Sequence, residues 1–235
     1  MIKKKIGWKP IRTSTLILLL FVTNIMLHGI INPGDKMEKG DISLTDILKV
    51  KTKLKKYFNL KTDEIFIIVD PEIQKMSIIK GEKILKTYSV STSRFGLGCK
   101  SGTNQTPTGT HRIKEKIGNN AGVGRIFRGR VDTGKNAKIY EDSTDLEKDE
   151  VTTRILWLDG MENRINRSGN VDSHKRYIYI HGTPEEGLIG TPASHGCIRM
   201  KNSDVIEFFN FIPSKTLIEI LNKPYKKKIV TTDAG

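Results

Sequence analysis

Residues 194–200 read Ser-His-Gly-Cys-Ile-Arg-Met, and residues 181–183, a short way upstream, read His-Gly-Thr. Together the two segments hold a thiol, two imidazoles and flexible backbone, which are the groups that thiolate acyl chemistry requires. A free cysteine titrates near about 8.5, so Cys197 needs a neighbouring imidazole to accept its proton. His181 and His195 are the two candidates for that base.

Each of these residue types alone indicates little, because a lone cysteine is most often a small buried hydrophobe. The combination is more specific, since Gly196 beside the thiol lets the backbone approach a carbonyl and leaves an N–H free for an oxyanion. A zinc site made of His181, His195 and Cys197 is an alternative interpretation. The sequence has no Cys-x-x-Cys or His-Glu-x-x-His pair, so we expect no metal and no other cofactor.

The overall charge is strongly basic. The chain has 235 residues, with 40 Lys and Arg against 26 Asp and Glu, and a formal net charge of +14. This length suits one domain with an appendage. The basic excess favours an anionic partner, which could be nucleic acid, anionic lipid or an acidic polymer.

The N-terminus has the pattern of a membrane segment. Basic side chains within residues 1–12 precede an apolar run from Leu16 to Ile31, an order that predicts a membrane-seeking helix. We interpret residues 1–12 as a basic cytoplasmic segment and residues 13–32 as a signal anchor or a signal peptide, with a buried soluble helix as the alternative. The rest of the chain is then expected outside the cytoplasm, on the periplasm or cell-wall side, anchored to the inner membrane by residues 13–32.

Apolar spacing divides the remainder of the chain. Residues 33–62 are interpreted as a linker with an amphipathic stem, because apolar side chains recur there at helical spacing. From Ile65 onward, short β-type runs follow one another, with a hairpin turn at residues 80–82 and one short helix at 205–211. This pattern predicts a mostly β fold, a β-sandwich or partial barrel with one or two short helices. A basic tail, residues 223–235, ends the chain.

Two connections and one strand are also predicted. Residues 118–150 are Gly-rich and then charged, which predicts a long loop. A strand at 176–180 is expected to deliver His181 at its end, and residues 184–192 are predicted to form a flap with glycines at its hinges. The second cysteine, Cys99, could form a disulfide in an oxidising compartment. We expect Cys197 to stay reduced instead.

The two motifs, the upstream hairpin, the Thr-Pro-Thr-Gly turn at 106–109 and the strand into His181 resemble the L,D-transpeptidase catalytic domain family of bacterial cell-wall enzymes. The resemblance covers about residues 63–222. It implies a β-rich fold with the nucleophile under a flap, and peptidoglycan stem peptides as substrate. Cys197 would form a thioester with release of a terminal D-Ala, and an amine would then accept the acyl group. The alternatives are an L,D-carboxypeptidase that uses water, or a non-catalytic, membrane-tethered wall-binding module.

The resemblance also implies a role for each residue of the motif. His181 matches the family's proton acceptor, with its other nitrogen held by a backbone carbonyl, here that of Gly182. Ser194 and His195 would line the pocket, while the N–H groups of Gly196 and Cys197 would bind the oxyanion.

Substrate binding is expected from Arg199, Gly182 and Thr183. The guanidinium of Arg199 could hold a substrate carboxylate in bidentate fashion, and a structural role for it is the alternative. With peptidoglycan and the membrane as anionic partners, the basic charge is explained without nucleic acid.

Overall fold

The computed structural model describes residues 40–225, so the predicted membrane segment, residues 13–32, and most of the basic tail lie outside the described residues. In chain order the elements are α1 (Leu44–Phe58), β1 (Ile65–Asp70), β2 (Lys75–Lys80), β3 (Lys83–Ser89), β4 (Gly109–Ile117), β5 (Arg125–Arg128), β6 (Val131–Asn136), β7 (Val151–Gly160), β8 (Tyr179–Gly182), β9 (Ile198–Met200), α2 (Asn202–Phe211) and β10 (Leu217–Ile220). A mostly β fold with two short helices is thereby confirmed. Within residues 40–225, no helix is long and apolar enough to cross a membrane.

The ten strands form one connected sheet, which forks at β7. The main path runs β3-β2-β1-β10-β4-β7-β5-β6, and β8 pairs with both β7 and β9. The pairs β1 with β10 and β8 with β9 are parallel. At the fork, Thr152 of β7 pairs with Ile126 of β5 and with Gly182 of β8. The fork therefore carries β8 and β9, the strands that hold the two motifs.

Helix α1 covers one face of this sheet. Its N-cap is Ser43, whose Oγ accepts the backbone N–H of Asp46 over 3.1 Å. The buried side of the helix packs in one apolar cluster with Phe66 and Ile68 of β1. The helix thus belongs to the same folded unit as the sheet, whereas the sequence interpretation treated residues 33–62 as a linker and stem. Amphipathic spacing predicts a buried face but does not say which surface covers it.

Helix α2 covers the opposite face, because successive side chains of β1 point to opposite sides. Ile67 and Val69 lie in a cluster with Val205 and Phe208 of α2. Each such fully buried apolar side chain contributes roughly 1.5–3 kcal/mol relative to exposure. The near-continuous apolar run of β1 is explained by a helix on each side of it.

A hairpin occupies the first half of the stretch that was predicted as a loop. Strands β5 and β6 pair antiparallel, and β5 joins the sheet through β7. The predicted loop over residues 118–150 is therefore wrong for residues 125–136. Most side chains of β6 are exposed, so the strand has no alternation of apolar and polar residues by which its sequence could have been recognised.

Strand β8 is shorter than predicted. It begins at Tyr179, whereas the sequence predicted a strand from Arg176. Tyr177 has a φ of +57°, in the left-handed region that aromatic residues rarely adopt. The turn at Tyr177 interrupts the extended backbone, so the strand begins only at Tyr179. The same turn directs the Tyr177 carbonyl toward Cys197.

Candidate active site

The parallel pairing of β8 and β9 brings the two motifs together. Their register places His181 opposite Arg199 and Ile180 opposite Ile198. Cys197 immediately precedes β9, so alternation of side chains places it on the face that carries Arg199 and His181. The thiol and the upstream imidazole therefore lie on one face of neighbouring strands.

His181 is held in one orientation. Its side chain is buried, and Nδ1 lies 2.7 Å from the carbonyl oxygen of Gly182, which confirms the predicted contact. Because a carbonyl only accepts, Nδ1 carries the proton and Nε2 is left as the acceptor. Burial lowers the pKa of His181, although the charge of Asp149 opposes this shift. At neutral pH the ring is thus an uncharged base.

The thiol of Cys197 is half-buried between two tyrosines. The backbone N–H of Tyr179 donates to Sγ over 3.4 Å, and the thiol donates to the carbonyl of Tyr177 over 3.5 Å. Burial raises the pKa of Cys197 to about 12, and the negative charge of Asp149 adds to the effect. The resting group is therefore a thiol, and its proton must leave as the sulfur attacks.

Ser194 shapes the turn that presents the thiol. Its Oγ donates to the Cys197 carbonyl over 2.6 Å and accepts the Gly196 N–H over 3.2 Å. The expectation that Gly196 has a free N–H is therefore wrong for this structure, because the turn itself uses that group. Gly196 has a φ of +125°, and an added Cβ would lie 3.4 Å from the Gln105 carbonyl. Glycine is favoured here by its conformation, because other residues rarely adopt this φ, whereas the contact with Gln105 is an ordinary van der Waals distance.

His195 is exposed and is bound to Asp149, not to the thiol. Oδ2 of Asp149 lies 3.0 Å from the His195 backbone nitrogen and 3.2 Å from Nδ1. Burial would raise the pKa of Asp149, but attraction to the protonated form of His181 and to Arg199, with hydrogen bonds from the His195 N–H and Arg199, outweighs it and leaves this pKa lowered. Asp149 could not be recognised as a site residue from the sequence, because it lies in the charged end of the stretch predicted as a loop.

Arg199 is used inside the protein. Its side chain is 1% exposed, with Nη2 2.7 Å from Oδ1 of Asp149 and Nη1 2.8 Å from Oε2 of Glu185. Its Nε also donates to Oδ1 of Asp149 over 2.9 Å. The expectation that Arg199 binds a substrate carboxylate is therefore contradicted, since two internal carboxylates already occupy the guanidinium. These contacts agree with the alternative interpretation, in which Arg199 has a structural role.

Gly182 and Thr183 are also buried, which contradicts a direct contact with substrate. The Gly182 carbonyl is taken by His181, and the Thr183 carbonyl accepts from Nδ2 of Asn202 over 2.8 Å. A Cβ on Gly182 would lie 2.5 Å from Oδ1 of Asn202. The carbonyl groups of both residues are therefore used inside the protein, and that of Gly182 orients His181.

The connection at residues 184–192, which was predicted as a flap, is held in place by hydrogen bonds and an ion pair. Tyr140 donates its N–H to the Pro184 carbonyl over 2.7 Å and accepts the Gly187 N–H over 3.0 Å. Glu185 is buried, and its Oε1 accepts the N–H of Leu146 over 2.6 Å. The buried ion pair of Glu185 with Arg199 also fixes the segment, and glycine hinges in it stay a prediction.

Arg176, which no sequence motif marks as a site residue, holds the Gly-rich loop near the motif. Its guanidinium donates to the carbonyls of Gly98 over 3.2 Å, Cys99 over 2.9 Å and Gln105 over 2.6 Å. Gln105 is the residue against which Gly196 packs. Both Cys99 and Cys197 are free thiols in this structure. Among residues 40–225, no group of three His, Cys, Asp or Glu side chains is arranged to hold a metal ion.

The sequence model of the YkuD family, described as the L,D-transpeptidase catalytic domain, matches residues 64–220. The chain belongs to this L,D-transpeptidase catalytic domain family. The resemblance that the His-Gly-Thr and Ser-His-Gly-Cys motifs indicated is thereby confirmed.

Named relatives match shorter stretches of this chain. YkuD of Bacillus subtilis (strain 168), named as an L,D-transpeptidase, is 46% identical over 46 residues, which are 20% of this chain and 28% of that protein. The protein named probable L,D-transpeptidase ErfK/SrfK of Salmonella typhimurium is 39% identical over 51 residues, which are 22% of this chain and 16% of that protein. The chain therefore matches less than a third of the length of either relative.

Solved structures are similar at a lower level of sequence identity. The L,D-transpeptidase from Mycobacterium smegmatis has a TM-score of 0.41 and 15% identity, over 67% of this chain and 58% of that one. Bd1075 of Bdellovibrio bacteriovorus has a TM-score of 0.42 and 17% identity, over 71% of this chain and 51% of that one.

Proposed function

We propose that this protein catalyses L,D-transpeptidation of peptidoglycan stem peptides, with Cys197 as the nucleophile and His181 as its base. The observation that carries the proposal is the contact of 2.7 Å between Nδ1 of His181 and the Gly182 carbonyl. This contact leaves Nε2 of the neutral His181 ring free to accept a proton. His181 lies on the strand beside the thiol. The family match at residues 64–220 supports the substrate class.

The reaction has two halves. In the first, Sγ of Cys197 attacks the carbonyl at the L-centre of diaminopimelate while its proton passes to Nε2 of His181. The terminal D-Ala then leaves as an amine, which takes that proton and leaves a thioester. In the second, an amine of a neighbouring stem attacks the thioester and gives up a proton to His181. The C–S bond breaks as the acyl group passes to the amine, and His181 returns the proton to Sγ of Cys197, which regenerates the thiol.

Local contacts support each charge that develops. The Tyr179 N–H points at Sγ, and hydrogen bonding to the sulfur favours the thiolate. His181 becomes an imidazolium during attack, and the negative charge of Asp149 favours that form. The Cys197 N–H remains the proposed oxyanion donor, because Gly196 donates its own to Ser194.

The cellular location of the protein is inferred from its proposed substrate. We place the domain outside the cytoplasm, with residues 13–32 as its proposed membrane anchor and residues 63–222 as its catalytic part. Hydrolysis, in which water replaces the acceptor amine, uses the same thioester, so the products distinguish the two activities.

The proposal is tested by incubating the protein with a stem tetrapeptide and identifying the products by mass spectrometry. We expect a thioester on Cys197, release of D-Ala and a cross-linked dimer. Cys197→Ala should lose all three, while Cys99→Ala, the matched control, should keep them. Turnover by Cys197→Ala would contradict the mechanism, and tripeptide without dimer would assign the carboxypeptidase activity instead.

A further inference from the structure

Arg130 lies at the tip of the β5–β6 hairpin in a conformation that arginine rarely adopts. Gly129 and Arg130 connect the two strands, with φ angles of +53° and +70°. Two-residue hairpin turns with both φ angles positive favour glycine and asparagine. Arginine at the second position therefore carries a conformational cost, and such sites are often retained for a function.

The guanidinium of Arg130 rests on aromatic rings. It lies 4.4 Å from the ring centroid of Trp157 and 5.1 Å from that of Tyr177. Its Nη1 donates to the hydroxyl of Tyr179 over 3.1 Å. Stacking on Trp157 and this hydrogen bond hold the guanidinium in place while leaving most of its five N–H donors unused.

The same two tyrosines hold the proposed nucleophile. The backbones of Tyr177 and Tyr179 contact Sγ of Cys197, and their rings contact Arg130. Cys197 also packs against the apolar cluster that contains Trp157 and Tyr179. The guanidinium of Arg130 is therefore separated from the sulfur by one tyrosine side chain. A peptide bound at Cys197 can reach it.

Other arginines near the motif already have partners inside the protein. Arg176 donates to three backbone carbonyls, and two more arginines pair with carboxylates. Arg199 pairs with Asp149 and Glu185, and Arg94 pairs with Asp145 over 2.7 Å. Across residues 40–225, no carboxylate lies within ion-pair distance of Arg130, and Glu115 attracts it only from farther away. A planar guanidinium that is positioned but unpaired matches the geometry of a carboxylate ligand.

We infer that Arg130 binds a carboxylate of the acyl-donor stem peptide and so sets donor specificity. This inference rests on the proposed function, because it takes the peptide to be bound at Cys197. It assigns to Arg130 the task that the sequence had suggested for Arg199. The hairpin, which the sequence did not reveal, supplies the binding group.

The test compares donors and variants by kcat/KM. The donors are the natural tetrapeptide and analogues in which one carboxylate at a time is an amide. Arg130→Met keeps an apolar stem over Trp157 but removes the fork, and we expect about a ten- to hundredfold loss on the natural donor. For one of the amide donors, kcat/KM of the wild-type protein should be as low as that of Arg130→Met on the natural donor. Arg130→Met should lose no further kcat/KM on that amide donor.

Two controls complete the design. Arg128→Met removes the same charge from the same hairpin, at a side chain that is 73% exposed and faces Glu150, and should change kcat/KM less than about twofold. Alkylation of Cys197 by iodoacetamide should be unchanged in Arg130→Met, which shows that the nucleophile and fold are intact. Two results would overturn this inference without affecting the proposed function. One is that Arg130→Met discriminates between the natural and the amide donors as well as wild-type protein does. The other is that Arg128→Met loses as much kcat/KM as Arg130→Met. Absence of turnover by wild-type protein would overturn the proposed function and this inference with it.

Discussion

Asp149 and Arg199 form a partly buried ion pair in which Nε of Arg199 donates to Oδ1 of Asp149 over 2.9 Å. The other oxygen of Asp149 faces His195. One carboxylate thus joins the buried arginine of the motif to its exposed histidine, and its charge acts on both His181 and Cys197.

Removing Arg199 should destabilise the fold. In Arg199→Met, the carboxylates of Asp149 and Glu185 are left in the interior without a cation, so we expect the free energy of unfolding to fall by about 3–5 kcal/mol. Urea denaturation followed by circular dichroism measures it. Lys51→Met, which breaks a pair with the exposed Glu82, should cost about 0–1 kcal/mol. A loss this small in Arg199→Met would show that the pair is not important for stability.

Asp149 should control the titration of the thiol. Its negative charge disfavours the thiolate and raises the pKa of Cys197, so Asp149→Asn should lower that pKa and move iodoacetamide alkylation to lower pH. The rate of alkylation against pH measures the shift. Asp145→Asn removes an exposed carboxylate that pairs with Arg94, and it should leave the profile in place. A profile that moves to higher pH in Asp149→Asn would refute the assignment.

The two histidines should differ in their effect on turnover. His181→Gln removes the proposed base, so kcat for thioester formation should fall about 10²–10⁴-fold. His195→Gln changes an exposed ring whose contact is Asp149, and its loss should be less than about tenfold by comparison. Single-turnover acylation followed by mass spectrometry measures each rate. If His195→Gln is the more damaged variant, the roles of the two histidines must be exchanged.

Gly182 should not tolerate a side chain. A Cβ there would lie 2.5 Å from Oδ1 of Asn202 and 2.9 Å from the Thr152 carbonyl, so Gly182→Ala should lower the free energy of unfolding by about 1–3 kcal/mol. The control is Gly122→Ala, because nothing lies within 4 Å of a Cβ at Gly122. Thermal unfolding of both variants provides the comparison, and equal stability would contradict the close packing behind His181.

Much of the fold was predictable because its signals are local. The apolar runs from Ile65 onward and the turn at 80–82 correspond to strands β1, β2 and β3. The contact of His181 with the Gly182 carbonyl also joins adjacent residues. The β5–β6 hairpin was missed because β6 is mostly exposed and lacks the alternation that marks a half-buried strand.

The sequence by itself determined the reactive groups and the family, because both are contained in residues 181–183 and 194–200. Only the tertiary structure decided which charges face those groups. Asp149 is distant from His195 in sequence, and Arg130 comes from a separate hairpin. Burial and pairing of charges depend on which segments the folded sheet brings into contact. For that reason Arg199, which the motif offered as a ligand for substrate, became an internal counter-ion.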